Sequence, residues 1–341
     1  MSRRLQVWAV SGLPEIEAGD DLAALLCTHS TDLADGDVLV VTSKVVSKAE
    51  GRVVTVDRGT AVARETVRVV ARRGATVIAR TRHGLTLAAA GVDASNTAVG
   101  TVVLLPLDPD ASARHLREAL AKRCGVNVAV VVSDTAGRAW REGQTDLAVG
   151  CAGLLPSLDL RGAVDRYGNV LTVTTPAVAD ELAAAADLVL GKLGHAPVAV
   201  LRGLADLTLP TGQHGPGAIA LVRDAGSDMF GLGAREAVAA AVSRDDPQAL
   251  EAFGAADPDP SLLEQLIATA TAGSGVRLQS RPLDHGGVEV SGEASGEPTA
   301  QTAVALERLH ALVVAHGWRA HDPDRNYAPR RIVVRSEGTG P

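Results

Sequence analysis

The sequence has few aromatic residues and few cysteines. Only 2% of its 341 residues are Phe, Trp or Tyr, so the core has to be packed from small side chains such as Ala, Val and Leu. The three cysteines (Cys27, Cys124 and Cys151) are far apart and form no C-x-x-C pair. This spacing disfavours a zinc site and a disulfide framework, and it predicts reduced thiols.

Long apolar runs and basic clusters are also missing. No window of about 18 apolar residues occurs, and the N-terminal segment lacks the apolar stretch of a signal peptide, so we expect a cytoplasmic protein that does not span a membrane. The formal net charge is −7 with no Lys/Arg-rich run, which disfavours nucleic-acid binding. An anionic ligand would therefore need basic side chains close to it.

The chain alternates between strand-like and helix-like segments as far as residue 234. Beyond that point an Ala/Asp/Pro/Gly-rich composition predicts a small α+β appendage, so we divide the chain into domains 1–234 and 235–341. The main predicted strands are 6–10, 37–42, 128–132, 170–175 and 197–202, and the main helices are 60–73, 111–123, 177–190, 261–270 and 299–316.

The most informative stretch runs from 127 to 150. The β-branched run 128–132 predicts a strand that is covered on both faces. We expect the strand to lead into a polar loop. This loop holds Ser133, Asp134 and Thr135, whose oxygens suit a hard cation such as Mg²⁺, and Arg138 and Arg141, which suit phosphate or carboxylate groups. The alternative is an ordinary surface turn in which Asp134 caps a helix.

Three further polar segments could contribute to the same site. The turn at 11–16 exposes backbone N–H groups that serve either a nucleotide or the turn itself. Lys44 and Lys48 follow a strand and predict either a phosphate contact or the solvated start of a helix; the Walker pattern is absent. Asp93 and Asn96 form a common Asx-turn pattern, which gains weight only if Asp93 meets Asp134 in space.

Taken together, these segments resemble the coenzyme F420-0:L-glutamate ligases, the γ-glutamyl ligases of F420 biosynthesis. The likeness covers roughly residues 5–234. It rests on G-L-P-E-I at 12–16, T-S-K-V-V-S-K-A-E-G-R at 42–52, H-G-L…A-A-G-V-D-A-S-N at 83–96, L-P-x-D-P-D-x-S at 105–112, S-D-T-x-G-R-x-W-R-x-G-Q-x-D at 133–146, Y-G-N at 167–169 and A-D-E-x-A-x-A-A-D-L-V at 179–189.

The resemblance implies a GTP-dependent amide ligase with a mixed-sheet α+β fold and an intertwined homodimer. GTP would phosphorylate the terminal carboxylate of coenzyme F420-0, and the amine of L-glutamate would attack the acyl phosphate, with Mg²⁺ or Mn²⁺ as cofactor. An ionised carboxylate is a poor electrophile, which is why activation is needed. The tail is too short for the flavin-binding domain of some bacterial relatives, so no flavin is expected.

The resemblance also implies a set of site residues. Asp93 and Asp134 resemble ligands of a first metal ion, and Thr135 a ligand of a second. Arg138, Arg141, Gln144 and Asp146 are our own candidates for contacts with the acceptor or with glutamate, and we expect Asp134, Arg138, Arg141 and Asp146 to serve catalysis. The residues that resemble GTP contacts are Leu13, Pro14, Glu15, Ile16, Ser43, Lys48, Asn96, Gly191 and Lys192.

The sequence departs from the archaeal pattern at Lys192, where those relatives carry a metal-binding Gln. A protonated Lys cannot bind a cation, so the number of metal ions stays open. Two alternatives to the ligase also stay open at this stage: an inactive relative that binds nucleotide or F420 as a carrier or regulatory module, and a ligase or kinase that acts on another phosphorylated acid. The sequence does not say how many glutamates are added.

Overall fold

The structure, a computed structural model, describes residues 4–191, 196–243, 246–254, 260–284, 287–292, 299–323 and 331–335. The chain forms two compact units, one comprising residues up to 69 and 76–222, the other residues 70–75 and those from 223 onward. The division into domains at 1–234 and 235–341 stays a prediction.

The first unit combines helices with several small sheets and one larger sheet. Its strands are β1 (Gln6–Ala9), β2 (Val38–Thr42), β3 (Val53–Val54), β4 (Thr66–Arg73, which continues into the second unit), β5 (Thr76–Thr81), β6 (Thr86–Ala88), β7 (Val102–Val103), β8 (Ala129–Arg138), β9 (Arg141–Ala152) and β10 (Val198–Arg202). Its α-helices are α1 (Leu22–His29), α2 (Ser43–Ala49), α3 (Arg58–Glu65), α4 (Pro109–Cys124) and α5 (Val178–Leu190).

The larger sheet has five strands in the order β1-β10-β2-β8-β9. β2 and β8 are parallel, whereas the other neighbouring pairs are antiparallel. The sheet is therefore mixed, and the expectation of an α+β protein with a mixed sheet is confirmed.

Helices cover both faces of this sheet. Val130 and Val132 pack in one core with Leu120 of α4, whereas Val131 between them packs in the other core with Ala183 of α5. Alternate side chains of a strand point to opposite faces, so β8 has to be apolar on both sides. The prediction that this strand is covered on both faces is confirmed.

Three secondary-structure predictions are wrong. The predicted helix 60–73 ends at Glu65 and continues as β4, where Thr66, Val67, Val69 and Val70 supply the β-branched side chains that favour a strand. The predicted polar loop after Val132 is instead the rest of β8 and its hairpin partner β9. The predicted strand 170–175 is irregular apart from an isolated bridge between Val164 and Val170.

The expectation that the thiols are all reduced is also wrong. α1 packs against α4, and Cys27 and Cys124 form a disulfide with their Cα atoms 5.8 Å apart. Cys151 is free and buried, and the loss of solvation raises the pKa of its thiol to about 12. The pairing could not be predicted from local spacing, because 97 residues separate the two bonded cysteines.

The second unit is an α+β arrangement in its own right. It contains α6 (Ala234–Ser243), α7 (Pro247–Glu251), α8 (Pro260–Thr271), α9 (Ala300–Ala315) and the strands β11 (Leu278–Pro282), β12 (Val288–Gly292), β13 (Arg319–His321) and β14 (Arg331–Arg335). The strands form an antiparallel sheet in the order β11-β12-β14-β13. Helices α8 and α9 agree with the predicted segments, whereas α6, α7, β12 and β13 were not predicted. Within the described ranges, no helix is long and apolar enough to cross a membrane.

Candidate active site at the end of two parallel strands

The site lies where the parallel pairing of β2 and β8 ends: β2 stops at Thr42, whereas β8 continues to Arg138. Thr42 of β2 and Ser133 of β8 are register partners, so the residues that follow them, Ser43 and Asp134, emerge at the same edge of the sheet. The hydroxyl of Ser43 donates a hydrogen bond to Oδ1 of Asp134 over 3.2 Å. Carboxyl ends of parallel strands are the usual place for ligand sites in such sheets.

Asp134 is a partly buried carboxylate with a raised pKa. Desolvation raises the pKa of Asp134 to about 6, and the nearby charges of Asp146 and Asp93 add to the effect. The Ser43 hydroxyl and the backbone N–H of Thr135 donate to the carboxylate and oppose the rise. A cation placed beside Asp134 would offset the unfavourable burial of its negative charge.

Asp93 is the second carboxylate of the site. An isolated bridge to Val103 fixes its backbone, and its side chain accepts from the N–H of Ser95 over 2.7 Å, so the predicted Asx-turn is present. Nζ of Lys44 lies 2.7 Å from Oδ2 of Asp93 and 2.8 Å from Oγ of Ser95. Desolvation raises the pKa of Asp93, but the hydrogen bonds from Lys44 and Ser95 outweigh it and the pKa is lowered overall.

Helix α2 brings the two carboxylates together. Its first residue, Ser43, contacts Asp134, and its second, Lys44, contacts Asp93. Consecutive Cα atoms are about 3.8 Å apart, so Asp93 and Asp134 contact neighbouring positions of one helix end. Both carboxylates therefore contact the same helix end, and the charge of Asp93 helps to raise the pKa of Asp134. That the two bind one metal ion stays a prediction. Lys44 gave only a weak signal in the sequence, its spacing of four residues from Lys48.

The residues present fit a divalent cation bound partly by substrate. No group of three or more His, Cys, Asp or Glu side chains suited to a metal occurs within the described residues. Two carboxylates are nevertheless present at this edge, and Mg²⁺ is usually bound by one or two carboxylates together with substrate phosphates and water. Asp93 and Asp134 would hold such an ion.

Lys48 connects α2 to the predicted nucleotide segment 13–16. Its ammonium forms an ion pair with the carboxylate of Glu15, and Lys48 is buried whereas Glu15 is exposed. Ile16 belongs to the core, and Leu13 packs against that core. The segment is thus fixed beside α2. A helix does start at Ser43, but the prediction that this start is solvated is wrong, because Lys48 and most of α2 are buried.

Those of the remaining predicted nucleotide contacts that the structure describes lie outside helices and strands. Asn96 has a φ of 52° in an exposed turn after Asp93, a conformation that Asn tolerates better than most residues. Gly191 follows α5 with a φ of 59°. Lys192 lies outside the described residues. Pro14 is exposed between Leu13 and Glu15.

The β8–β9 hairpin holds the residues predicted to contact the acceptor. Arg138 and Arg141 are register partners beside its tip and are exposed, as is Gln144. Asp146 is different: only 4% of it is exposed, and its oxygens accept from the hydroxyls of Ser133 and Thr135. The roles predicted for these four residues stay predictions.

Carboxylates at the edge of a parallel strand pairing, with lysines of α2 beside them, suit a ligand that carries phosphate groups and a divalent cation. A sequence model of the F420-0:Gamma-glutamyl ligase family matches residues 12–64 and 59–203. The chain belongs to this family, and it is a ligase.

Characterised relatives agree with this assignment. The chain is 38% identical over 219 residues to the coenzyme F420:L-glutamate ligase of Methanothermobacter thermautotrophicus, covering 57% of this chain and 87% of the relative. It is 39% identical over 221 residues to the enzyme of that name from Archaeoglobus fulgidus, which covers 59% of this chain and 88% of the relative. It is 43% identical over 215 residues to the one from Natronomonas pharaonis, which covers 55% of this chain and 81% of the relative.

Proposed function

We propose that this protein ligates L-glutamate to coenzyme F420-0 at the expense of GTP. GTP phosphorylates the terminal carboxylate of the acceptor, and the glutamate amine then displaces phosphate to form an amide, so that GDP and phosphate are the other products. The names of the relatives support the two substrates. The contact of consecutive α2 residues with Asp134 and Asp93 is the observation that carries the proposal.

The site supports this chemistry through charge. Phosphoryl transfer depends mainly on positioning and on neutralising the phosphate oxygens. Asp93 and Asp134 would hold Mg²⁺ or Mn²⁺, which supplies that neutralisation when bound, and Thr135 is proposed for a second ion. Lys44 and Lys48 place two ammonium groups on the same helix, where they can pair with phosphate oxygens when these arrive.

The proposed nucleotide contacts are the residues that the family resemblance implies. Segment 13–16 would present backbone groups to GTP, with Ser43, Lys48, Asn96, Gly191 and Lys192 completing the contacts. Arg138 and Arg141 are exposed on the hairpin, where guanidinium groups can bind the phosphate and carboxylates of the acceptor. The alternative of an inactive carrier or regulatory module is not favoured, because the matching relatives are named as ligases.

We also propose a cytoplasmic homodimer that binds no flavin. The dimer is supported by the irregular segment 155–176, which exposes several large apolar side chains. These are Leu155, Leu158, Val164, Tyr167, Val170 and Val173. Several exposed apolar side chains in one short segment are what we expect of a protein–protein interface.

A ligation assay tests the proposal directly. The purified protein is incubated with F420-0, L-glutamate, GTP and Mg²⁺ or Mn²⁺, and the products are separated by mass. We expect the acceptor to gain the mass of one glutamyl unit, or of several, with release of GDP. Nucleotide binding without any mass gain, for each metal, would contradict the proposal.

A further inference from the structure

Asp146 is a buried carboxylate whose two oxygens are both engaged by hydroxyl groups of the neighbouring strand. Oδ1 accepts from Oγ1 of Thr135 over 2.7 Å, and Oδ2 accepts from Oγ of Ser133 over 2.9 Å. Thr135 and Asp146 are register partners across the β8–β9 pair, so their side chains lie on the same face of the hairpin. With 4% of its surface exposed, Asp146 is enclosed beneath the site.

The hydrogen bond to Asp146 fixes the direction of the Thr135 hydroxyl. A hydroxyl has one hydrogen and two lone pairs. Because the hydrogen points to Asp146, the lone pairs of Thr135 Oγ1 are directed away from that carboxylate. At 2.7 Å between the two oxygens the hydrogen bond has an ordinary length, so it holds the Thr135 side chain in one direction.

Thr135 in turn holds Asp134. Its backbone N–H donates to the carboxylate of Asp134, which also accepts from Ser43. Asp146, Thr135 and Asp134 therefore form a chain of contacts that runs from the enclosed face of the hairpin to the edge of the site. Removing the first contact would loosen the side chain of Thr135 and the backbone at the base of Asp134.

We propose that Asp146 is a positioning residue, which orients Thr135 and, through it, Asp134 for binding a divalent cation, and that it does not touch substrate. The inference rests on the proposed function, because that function assigns Thr135 and Asp134 to the metal. Both carboxylate oxygens of Asp146 already have donors within the chain, which leaves it badly placed for an acceptor or for glutamate.

The test is the affinity of the protein for Mn²⁺ in the presence of GDP, measured by electron paramagnetic resonance of the free ion. Outer partners of metal ligands typically change metal affinity about 10- to 100-fold when replaced. Asn has a single acceptor oxygen and cannot accept from both Ser133 and Thr135, so we expect Asp146→Asn to weaken Mn²⁺ binding by about tenfold or more. Thr135→Val removes the hydroxyl outright, so we expect a loss at least as large, and adding Asp146→Asn to Thr135→Val should bring little further loss, because Asp146 acts on the ion through that residue. Wild-type affinity in Asp146→Asn would overturn the inference.

Asp180→Asn is the matched control. Asp180 is another partly buried carboxylate beside β9; it accepts from the N–H of Ala148 over 2.9 Å, and an Asn oxygen can replace it there. We expect its Mn²⁺ affinity to stay within about twofold of wild type, whereas a loss equal to that of Asp146→Asn would show a general effect of disturbing the strand and overturn the inference.

Two further outcomes are distinguishable. If Asp146→Asn does not fold, Asp146→Glu is measured in its place; it keeps the charge but displaces it by one methylene, and undiminished Mn²⁺ affinity would overturn the inference. If the wild-type protein binds no Mn²⁺ with GDP present, the metal site of the proposed function fails, and the role of Asp146 fails with it.

Discussion

Asp134 shows how a single functional residue can lower the stability of its own fold. Its carboxylate is placed by Ser43 and by the backbone of Thr135, yet desolvation raises its pKa to about 6 from an ordinary value of 3.8. The folded protein therefore binds this proton more tightly than the unfolded chain does. The contribution of Asp134 is most favourable below the unfolded pKa and is lost as the pH rises through about 6.

The direction of this pH dependence gives a prediction for the stability of Asp134→Asn in metal-free protein. The neutral amide removes the buried charge, so the variant should be more stable than wild type at about pH 8, by about 1–3 kcal/mol. The difference should shrink by about 1 kcal/mol at about pH 5, where the wild-type carboxyl is largely protonated in the fold. Urea unfolding with a chelator present measures both values. A variant that is less stable than wild type at the higher pH would contradict the assigned burial of charge.

Residue types alone could predict that Asp134 belongs to a site, but not what surrounds it. Ser133 and Thr135 were grouped with Asp134 from the sequence, whereas the structure turns both hydroxyls toward Asp146. That arrangement depends on the register between β8 and β9, in which Thr135 lies opposite Asp146. The register across a hairpin is fixed by its turn and its bulges. The prediction of a loop after Val132 left no hairpin, so this register could not be predicted.

At the scale of elements, the disulfide between α1 and α4 is the feature that the sequence least suggested. It closes a loop of 97 residues that contains β2, α2 and much of the first unit. Cross-linking residues so far apart restricts the unfolded chain strongly, and such bonds typically contribute about 2–4 kcal/mol.

We therefore expect Cys27→Ser to lower the free energy of unfolding by about 2–4 kcal/mol relative to the oxidised wild type. A reductant should lower the wild-type value by a similar amount and leave that of the variant unchanged. Cys151→Ser is the control for loss of a cysteine that forms no disulfide. Equal stability of oxidised and reduced wild type, by chemical denaturation, would contradict a stabilising role for the bond.

Most elements were predictable because their local signals agree with their packing. Asp108 caps α4 by accepting from the N–H of Ala111, and Gly125 ends the helix with a φ of 71°. The prediction for β4 was wrong because its Arg and Ala residues also suit a helix. Only the pairing of this segment with other parts of the chain decides between helix and strand.

At the scale of the whole molecule, pairing in a homodimer would cover the exposed apolar segment 155–176. We expect two chains in sedimentation experiments, and we expect Val173→Glu to shift the protein toward a single chain, because Val173 is 85% exposed within one protomer. Val67→Glu, at an exposed position of β4, serves as the control. A wild-type protein that sediments as one chain would contradict the dimer.

The account as a whole depends on Asp134 as a carboxylate that holds a cation for phosphoryl transfer. Activity of Asp134→Asn in the ligation assay tests this most directly, with Asp180→Asn as a folded control. We predict that Asp134→Asn keeps its fold and loses more than about nine-tenths of the ligation rate, equivalent to at least roughly 1.4 kcal/mol of transition-state stabilisation. A folded variant that retains more than about a tenth of the wild-type rate would contradict the claim.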